Sequence, residues 1–461
     1  VLFNSYVFLL FFPVVWAAVR LAPVALRPWV LLPASLLFYG WWDVRFLGLL
    51  LLTSTVDWAV GLGLARAQGP ARRRLLALSV GLNLGALGVF KYLGFFSREL
   101  QAALGGIGLA VELPVLDLVL PVGLSFYTFQ AMAYTVDVYR RELEPVRSLP
   151  RFLLFISFFP QLVAGPIERA GHLVPQLQTL RGPTRLQLAE GLQLVLWGFF
   201  KKLVVADNLA SLVEVGFDTR SPSGLEVLVA AYAFTWQIYC DFSGYSDIAR
   251  GLAKWLGVEL MLNFDLPFFA ASPQDLWRRW HISLSQWLRS YLYIPLGGNR
   301  HQPERNLLLT MLLGGLWHGA NWTFLAWGAW HGLGLAFHRR LRGARPDPAA
   351  GLPLWLAVPL TFHFTMLGFV LFRAHDLGQI LQLARTVAAG LGPADYGGVK
   401  LLVLLTLPVA LVELALWGRG GAFRFPAALP RAFQLPLAVV GLLSVVLLGS
   451  TYGQEFIYFQ F

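Results

Sequence analysis

Apolar residues along this 461-residue chain gather in long runs, separated by short stretches rich in Arg, Gly and Pro. About 20 consecutive apolar residues suffice for a helix to cross a bilayer. The pattern predicts helical segments at Tyr6–Val19, Val30–Trp41, Phe46–Leu64, Leu75–Phe95, Leu116–Val138, Phe152–Val163 and Leu186–Val205. It continues with Leu228–Ile248, Leu307–Leu316 with Trp322–Phe337, Leu354–Phe372, Val399–Trp417 and Leu435–Leu448. Several are short for a full span, so broken or re-entrant helices shielded by protein are expected among them.

Composition turns this pattern into a class. Only 13% of residues are charged and 57% are hydrophobic, with a mean hydropathy of +0.62. Soluble domains carry about 25% charged residues, so a polytopic membrane protein, read as one domain over 1–461, is the expectation. The net charge of +11 does not point to nucleic acid, because the basic residues cluster between apolar runs. Arg66/Arg72/Arg73/Arg74, Arg140/Arg141/Arg147/Arg151 and Arg339/Arg340/Arg342/Arg345 are such clusters, as in cytoplasmic loops that obey the positive-inside rule. Placing them inside puts both chain ends outside and makes Phe152–Val163 dip in and return. The first segment has no basic stretch before it and reads as a retained span. The lone Cys240 excludes an intramolecular disulfide and reads as a packed thiol.

Residues 263–305 break the apolar rhythm. Ser272-Pro273-Gln274-Asp275 has the order of a helix start: a serine cap, proline in the first turn, an acid three residues on. Beyond it Trp277, Trp280, His281, Leu284, Trp287, Leu288 and Tyr291 recur at helical spacing, which predicts one amphipathic helix. Such a helix suits a tryptophan-anchored surface. Equally, Arg278, Arg279 and Arg289 suit an anionic donor, since guanidinium matches phosphate geometry.

Of the eight histidines, His172, His301, His338 and His375 lie in or beside polar connections. His318 and His331 each sit in a Trp-His-Gly triplet inside an apolar stretch, where an ionisable group is costly unless it is partnered or faces a cavity. Gly314, Gly315, Gly319 and Ala320 around His318 remove bulk and permit close helix packing or approach of a substrate. A fixed structural tautomer remains the alternative for His318, and the favoured reading for His331 and His363. Histidine suits acyl transfer, since a pKa of about 6.5 lets it take and return a hydroxyl proton. No ligand-spaced His/Asp/Glu pairs suggest a metal, and no G-x-S-x-G elbow suggests a serine hydrolase.

The stretches Gln274–Ser285 and Tyr291–Gly298, together with Leu316–Trp322, Trp327-Gly328 and His331-Gly332, resemble the motifs of the membrane-bound O-acyltransferase family. Phe38–Trp42, Pro121–Gln130, Pro160–Ile167 and Asp241–Asp247 extend the resemblance over nearly the whole chain. It looks nearest to the alginate O-acetylating branch, whose relatives act on other exopolysaccharides and peptidoglycan or export D-alanine. The resemblance implies an all-α fold with a ring of tilted transmembrane helices and short re-entrant helices around a central tunnel. It implies His318 as catalytic histidine, His281 as a second motif histidine, and a donor region at Arg278, Arg279, Trp280, Trp317 and Asn321. The motif core spans about 263–338. One departure is Ser290, where an acid is expected.

The tail 452–461 holds five aromatics and looks like the end of the small partner peptide of D-alanyl export. That implies Tyr458 as an acyl carrier; an aromatic anchor at the membrane interface is the alternative. The expectation is therefore an inner-membrane enzyme that takes acetyl-coenzyme A as co-substrate and binds no metal or resident cofactor. Its expected partners are membrane lipid, an extracytoplasmic SGNH-type acetyltransferase and a polysaccharide acceptor such as alginate. A transporter or flippase is the rival from another class and predicts inverted repeats; beyond the doubled Trp-His-Gly no repeat is convincing.

Overall fold

In the computed structural model, the described residues are 3–109, 111–113, 118–163, 165–342, 352–392, 396–418, 431–450 and 456–457. Among them the chain is helical throughout, with no strand. It gathers into two compact units, Val1–Gln187 with Leu252–Leu260, and Leu188–Gly251 with Met261–Phe461.

The first unit contains α1 (Tyr6–Leu21), α2 (Arg27–Gly40), α3 (Val44–Arg66), α4 (Pro70–Leu87) and α5 (Leu93–Gly106). It continues with α6 (Leu124–Arg140), α7 (Leu149–Ser157), α8 (Phe159–Leu162) and α9 (Ala170–Gln178). A π-helical turn at Gly88–Tyr92 joins α4 to α5. The Phe152–Val163 run does fold as short broken pieces: α7 and α8 meet at a non-helical Phe158, and Phe158 and Phe159 are fully buried. On α3 the buried carboxylate of Asp57 accepts from Ser79 Oγ at 2.5 Å and from Asn83 Nδ2 at 2.9 Å, as a charge inside an apolar bundle requires.

α10 (Arg185–Phe199) leads into the second unit. There follow α11 (Asp207–Asp218), α12 (Gly224–Trp255), α13 (Pro273–Arg279), α14 (Ile282–Leu288), α15 (Pro303–His318) and α16 (Trp322–Arg342). The last four helices are α17 (Leu354–Arg373), α18 (Leu377–Ala388), α19 (Gly397–Trp417) and α20 (Arg431–Leu448). π-helical turns occupy Phe200–Ala206 and Arg289–Tyr293. α12 is buried along most of its length, and Cys240 on it is a fully buried thiol.

Four helical stretches, Val44–Arg66, Pro70–Gly106, Leu354–Arg373 and Gly397–Trp417, are long and apolar enough to cross a membrane. Tyr6–Leu21, Val24–Gly40 and Val439–Leu448 are shorter apolar helices. Of the other predicted segments, Leu186–Val205 buries Lys201 and Lys202, and Leu228–Ile248 buries Asp241 and Asp247.

Candidate functional site

His318 ends α15, and the hairpin of α15 with α16 puts it in place. The two helices touch backbone to backbone. A β-carbon on Gly315 would lie 2.2 Å from the Phe324 carbonyl oxygen, and one on Gly328 would lie 2.4 Å from that of Met311. Only glycine fits such an approach. Gly319 is equally constrained, since a β-carbon would meet the Phe324 ring at 2.0 Å. Gly314 is not; its nearest neighbour would be Leu288 Cδ1 at 3.4 Å. The imidazole of His318, 6% exposed, is held by three rings. Trp317 and Trp327 have centroids 4.9 Å away and Phe372 5.2 Å away, all edge to face.

His281 corrects the single amphipathic helix read from the spacing. The helix starts as expected, with Ser272 Oγ accepting from the Asp275 amide at 3.1 Å and Asp275 Oδ2 accepting from the Ala271 amide at 3.1 Å. It then breaks at Trp280 and His281, and α14 begins anew. His281 takes a left-handed conformation, φ 43° and ψ 55°, which a non-glycine residue adopts only when its surroundings enforce it. Asn263 supplies that enforcement. Its Oδ1 accepts from the Ser283 amide at 3.3 Å and from Ser283 Oγ at 2.9 Å, and faces His281 Nδ1 at 3.1 Å. The backbone carbonyl of Asn263 also accepts from the Ile282 amide at 2.9 Å. A backbone N–H can only donate, so the atom facing Nδ1 is an acceptor. Nδ1 of His281 therefore carries a proton, so the lone pair of the neutral ring is on Nε2.

Trp317 connects the two histidines, lying 6.5 Å from His281 and 4.9 Å from His318 between centroids. Trp327 extends the array, since its ring is also 4.9 Å from His331. His331 is 1% exposed and is boxed by Trp277, Trp327 and Phe364. Neither of its nitrogens makes a hydrogen bond among the described residues. His363, by contrast, is satisfied by Tyr232 Oη at 2.7 Å and the Pro359 carbonyl at 2.8 Å. His375 pairs with Asp218 at 2.8 Å.

The residues expected at the donor differ in their surroundings. Trp317 touches both histidines. Trp280 is buried among Tyr239, Phe264, Phe268 and Phe369. Arg279 is engaged by Asp275 at 3.0 Å and by the Asp265 carbonyl at 3.3 Å, whereas Arg278 beside it is exposed. Asn321 caps α16 through Thr323 and donates to the His375 carbonyl at 2.7 Å. Ser290 lies in the π-helical turn after α14. Tyr458 lies outside the described residues.

Sequence reasoning missed a cluster of buried charges. Lys202 Nζ contacts Asp207 at 2.8 Å and Asp241 at 2.6 Å. Lys201 Nζ contacts Asp247 at 2.7 Å and Ser243 Oγ at 2.8 Å. Ionisable residues inside apolar runs are the signal that marks it.

Comparison with known proteins bears on this arrangement. Residues 138–374 match the model of the membrane-bound O-acyltransferase family. A probable alginate O-acetylase AlgI of Azotobacter vinelandii is 42% identical over 427 residues, covering 90% of this chain and 84% of the relative. That of Pseudomonas aeruginosa is 43% identical over 382 residues, 81% and 72% of the two chains. A peptidoglycan O-acetyltransferase of Helicobacter pylori is 38% identical over 394 residues, 79% and 74% of the two chains.

Proposed function

This chain belongs to the membrane-bound O-acyltransferase family, and from that premise we propose that it passes acetyl groups from cytoplasmic acetyl-coenzyme A to an extracytoplasmic polysaccharide. It is a multi-pass membrane O-acetyltransferase. In our reading it resides in the bacterial inner membrane, and His318 is the general base.

The observation that carries the reading is the burial of His318 at the end of α15, between Trp317, Trp327 and Phe372. Imidazole there takes the proton of an acceptor hydroxyl as its oxygen attacks the thioester carbonyl, and returns it to the departing thiolate. The aromatic box excludes water, which limits hydrolysis of the donor. His281, with its lone pair on Nε2, lies one indole away and can serve the same proton movement. Arg278 is the exposed guanidinium for donor phosphates. Tyr458 is the intermediate acceptor in this scheme, and an SGNH-type partner outside passes the acetyl group to the polymer. The relatives' names point to alginate or peptidoglycan as polymers of the right kind.

The test is acetyl transfer from labelled acetyl-coenzyme A in membranes holding equal amounts of each variant. His318→Ala is expected to abolish transfer, and Tyr458→Phe to abolish export while sparing donor binding. Undiminished transfer by an accumulated His318→Ala protein overturns the assignment.

A further inference from the structure

The two described residues of the tail are not at a surface. Phe456 is 0% and Ile457 3% exposed. Phe456 packs edge-on against Phe242 and Tyr245 of α12, with centroids 5.6 and 4.7 Å away. The Ile457 amide donates to Asp241 Oδ2 at 2.7 Å. The other oxygen of that carboxylate faces Lys202 Nζ at 2.6 Å, and the same ammonium faces Asp207 at 2.8 Å. One lysine thus serves two buried carboxylates. A buried ion pair is tolerable only when its remaining lone pairs find donors, and the Ile457 backbone provides one to Asp241. An aromatic segment held only by lipid partitioning would bring its rings to the interface without giving a backbone N–H to a buried charge.

Phe242 connects this contact to the catalytic histidines. Its ring meets Phe456 on one side and His281 on the other, at 4.7 Å and 90°. We propose that Lys202, Asp241 and Phe242 form a latch for the segment at Phe456 and Ile457, holding Phe456 one aromatic ring from His281. Lys202 and Asp241 are positioning residues here: they act through the tail and touch no reacting atom. The consequence for acetyl transfer, which rests on the reading of Tyr458 as carrier, is that loosening the latch lowers transfer.

Ile457→Pro removes the donated N–H and also changes a buried side chain; Ile457→Leu changes that side chain too and keeps the N–H. Asp241→Asn weakens the same bond from the other side. Full-length protein in detergent is digested with carboxypeptidase and followed by intact mass, and acetyl transfer is measured in parallel. Wild type and Ile457→Leu are expected to resist trimming. Ile457→Pro is expected to be trimmed about 10- to 100-fold faster, the equivalent of one hydrogen bond to a charged group. Equal trimming of the proline and leucine variants overturns the latch, whatever happens to transfer. Faster trimming with unchanged transfer upholds the latch and overturns the carrier reading instead. If Asp241→Asn fails to accumulate, the Ile457 pair still decides the question.

Discussion

The imidazole of His331 comes so close to the α-carbon of Gly368 that a β-carbon there would lie 2.6 Å from Nε2. The same imidazole meets Trp327, whose indole also packs on His318. Gly368→Ala therefore has to move His331, and with it the wall of the His318 box. Overpacking of this kind costs about 1–3 kcal/mol, and small displacements of a catalytic group are costly in rate. We expect Gly368→Ala to accumulate at reduced level and to lose about tenfold or more in kcat, with donor KM little changed. Steady-state acetyl transfer normalised to membrane protein checks this, and a wild-type kcat would exclude His331 as a support for His318.

Asn263 fixes both the tautomer and the backbone turn of His281. Removing its side chain leaves the Ser283 amide and His281 Nδ1 without that acceptor, at about 1–3 kcal/mol for a buried unsatisfied group. Asn263→Ala is expected to lower thermal stability in detergent and to reduce transfer. Nitrogen-15 spectra of labelled histidine should show loss of the Nδ1–H form at one site. An unchanged tautomer population would mean that another group holds the ring.

The opening of the motif helix was legible because caps are local: Ser272 accepts from the Asp275 amide, and Asp275 from the Ala271 amide. The break at His281 was not. Apolar spacing continues smoothly from Trp277 to Tyr291, and nothing in that run announces a left-handed residue. The cause is Asn263, 18 positions upstream of His281, whose contact exists only once the chain has folded. Gly315 and Gly319 were legible as missing bulk, yet the sequence could not say which of the glycines met backbone. For the tail, the sequence left an acyl carrier and an interface anchor open and gave no sign of the buried contacts of Phe456 and Ile457, which exist only once α12 is in place.

Arg278 and Arg279 read alike in sequence and differ in place. Arg279 is engaged by Asp275 and the Asp265 carbonyl, so Arg279→Ala should disturb the α13 turn and lower accumulation. Arg278 is exposed and can meet an anionic donor. Arg278→Ala is expected to raise donor KM about 3- to 10-fold at unchanged kcat, the mark of lost uniform binding. That increase should shrink at high ionic strength, where an exposed charge is screened. A KM that is unmoved at low salt would remove Arg278 from the donor site.

The hairpin offers the cleanest test of geometry against composition, because Gly314 and Gly315 are neighbours with opposite surroundings. Gly315 faces the Phe324 carbonyl at 2.2 Å from its absent β-carbon, and backbone cannot yield as a side chain can. Gly314 would meet only Leu288 Cδ1, at an ordinary 3.4 Å. Alanine in a helix interior is favoured over glycine by about 1 kcal/mol, so propensity alone makes both substitutions stabilising. Packing reverses the sign at Gly315, where α15 and α16 must separate and His318 moves with them. We expect Gly314→Ala to match or slightly exceed wild type in melting temperature and to retain transfer. Gly315→Ala should be destabilised by about 1–3 kcal/mol and lose most transfer even in the fraction that folds. Detergent melting curves and transfer per folded molecule measure both. Equal behaviour of the two variants would show that the interlock of α15 with α16 does not set the position of His318.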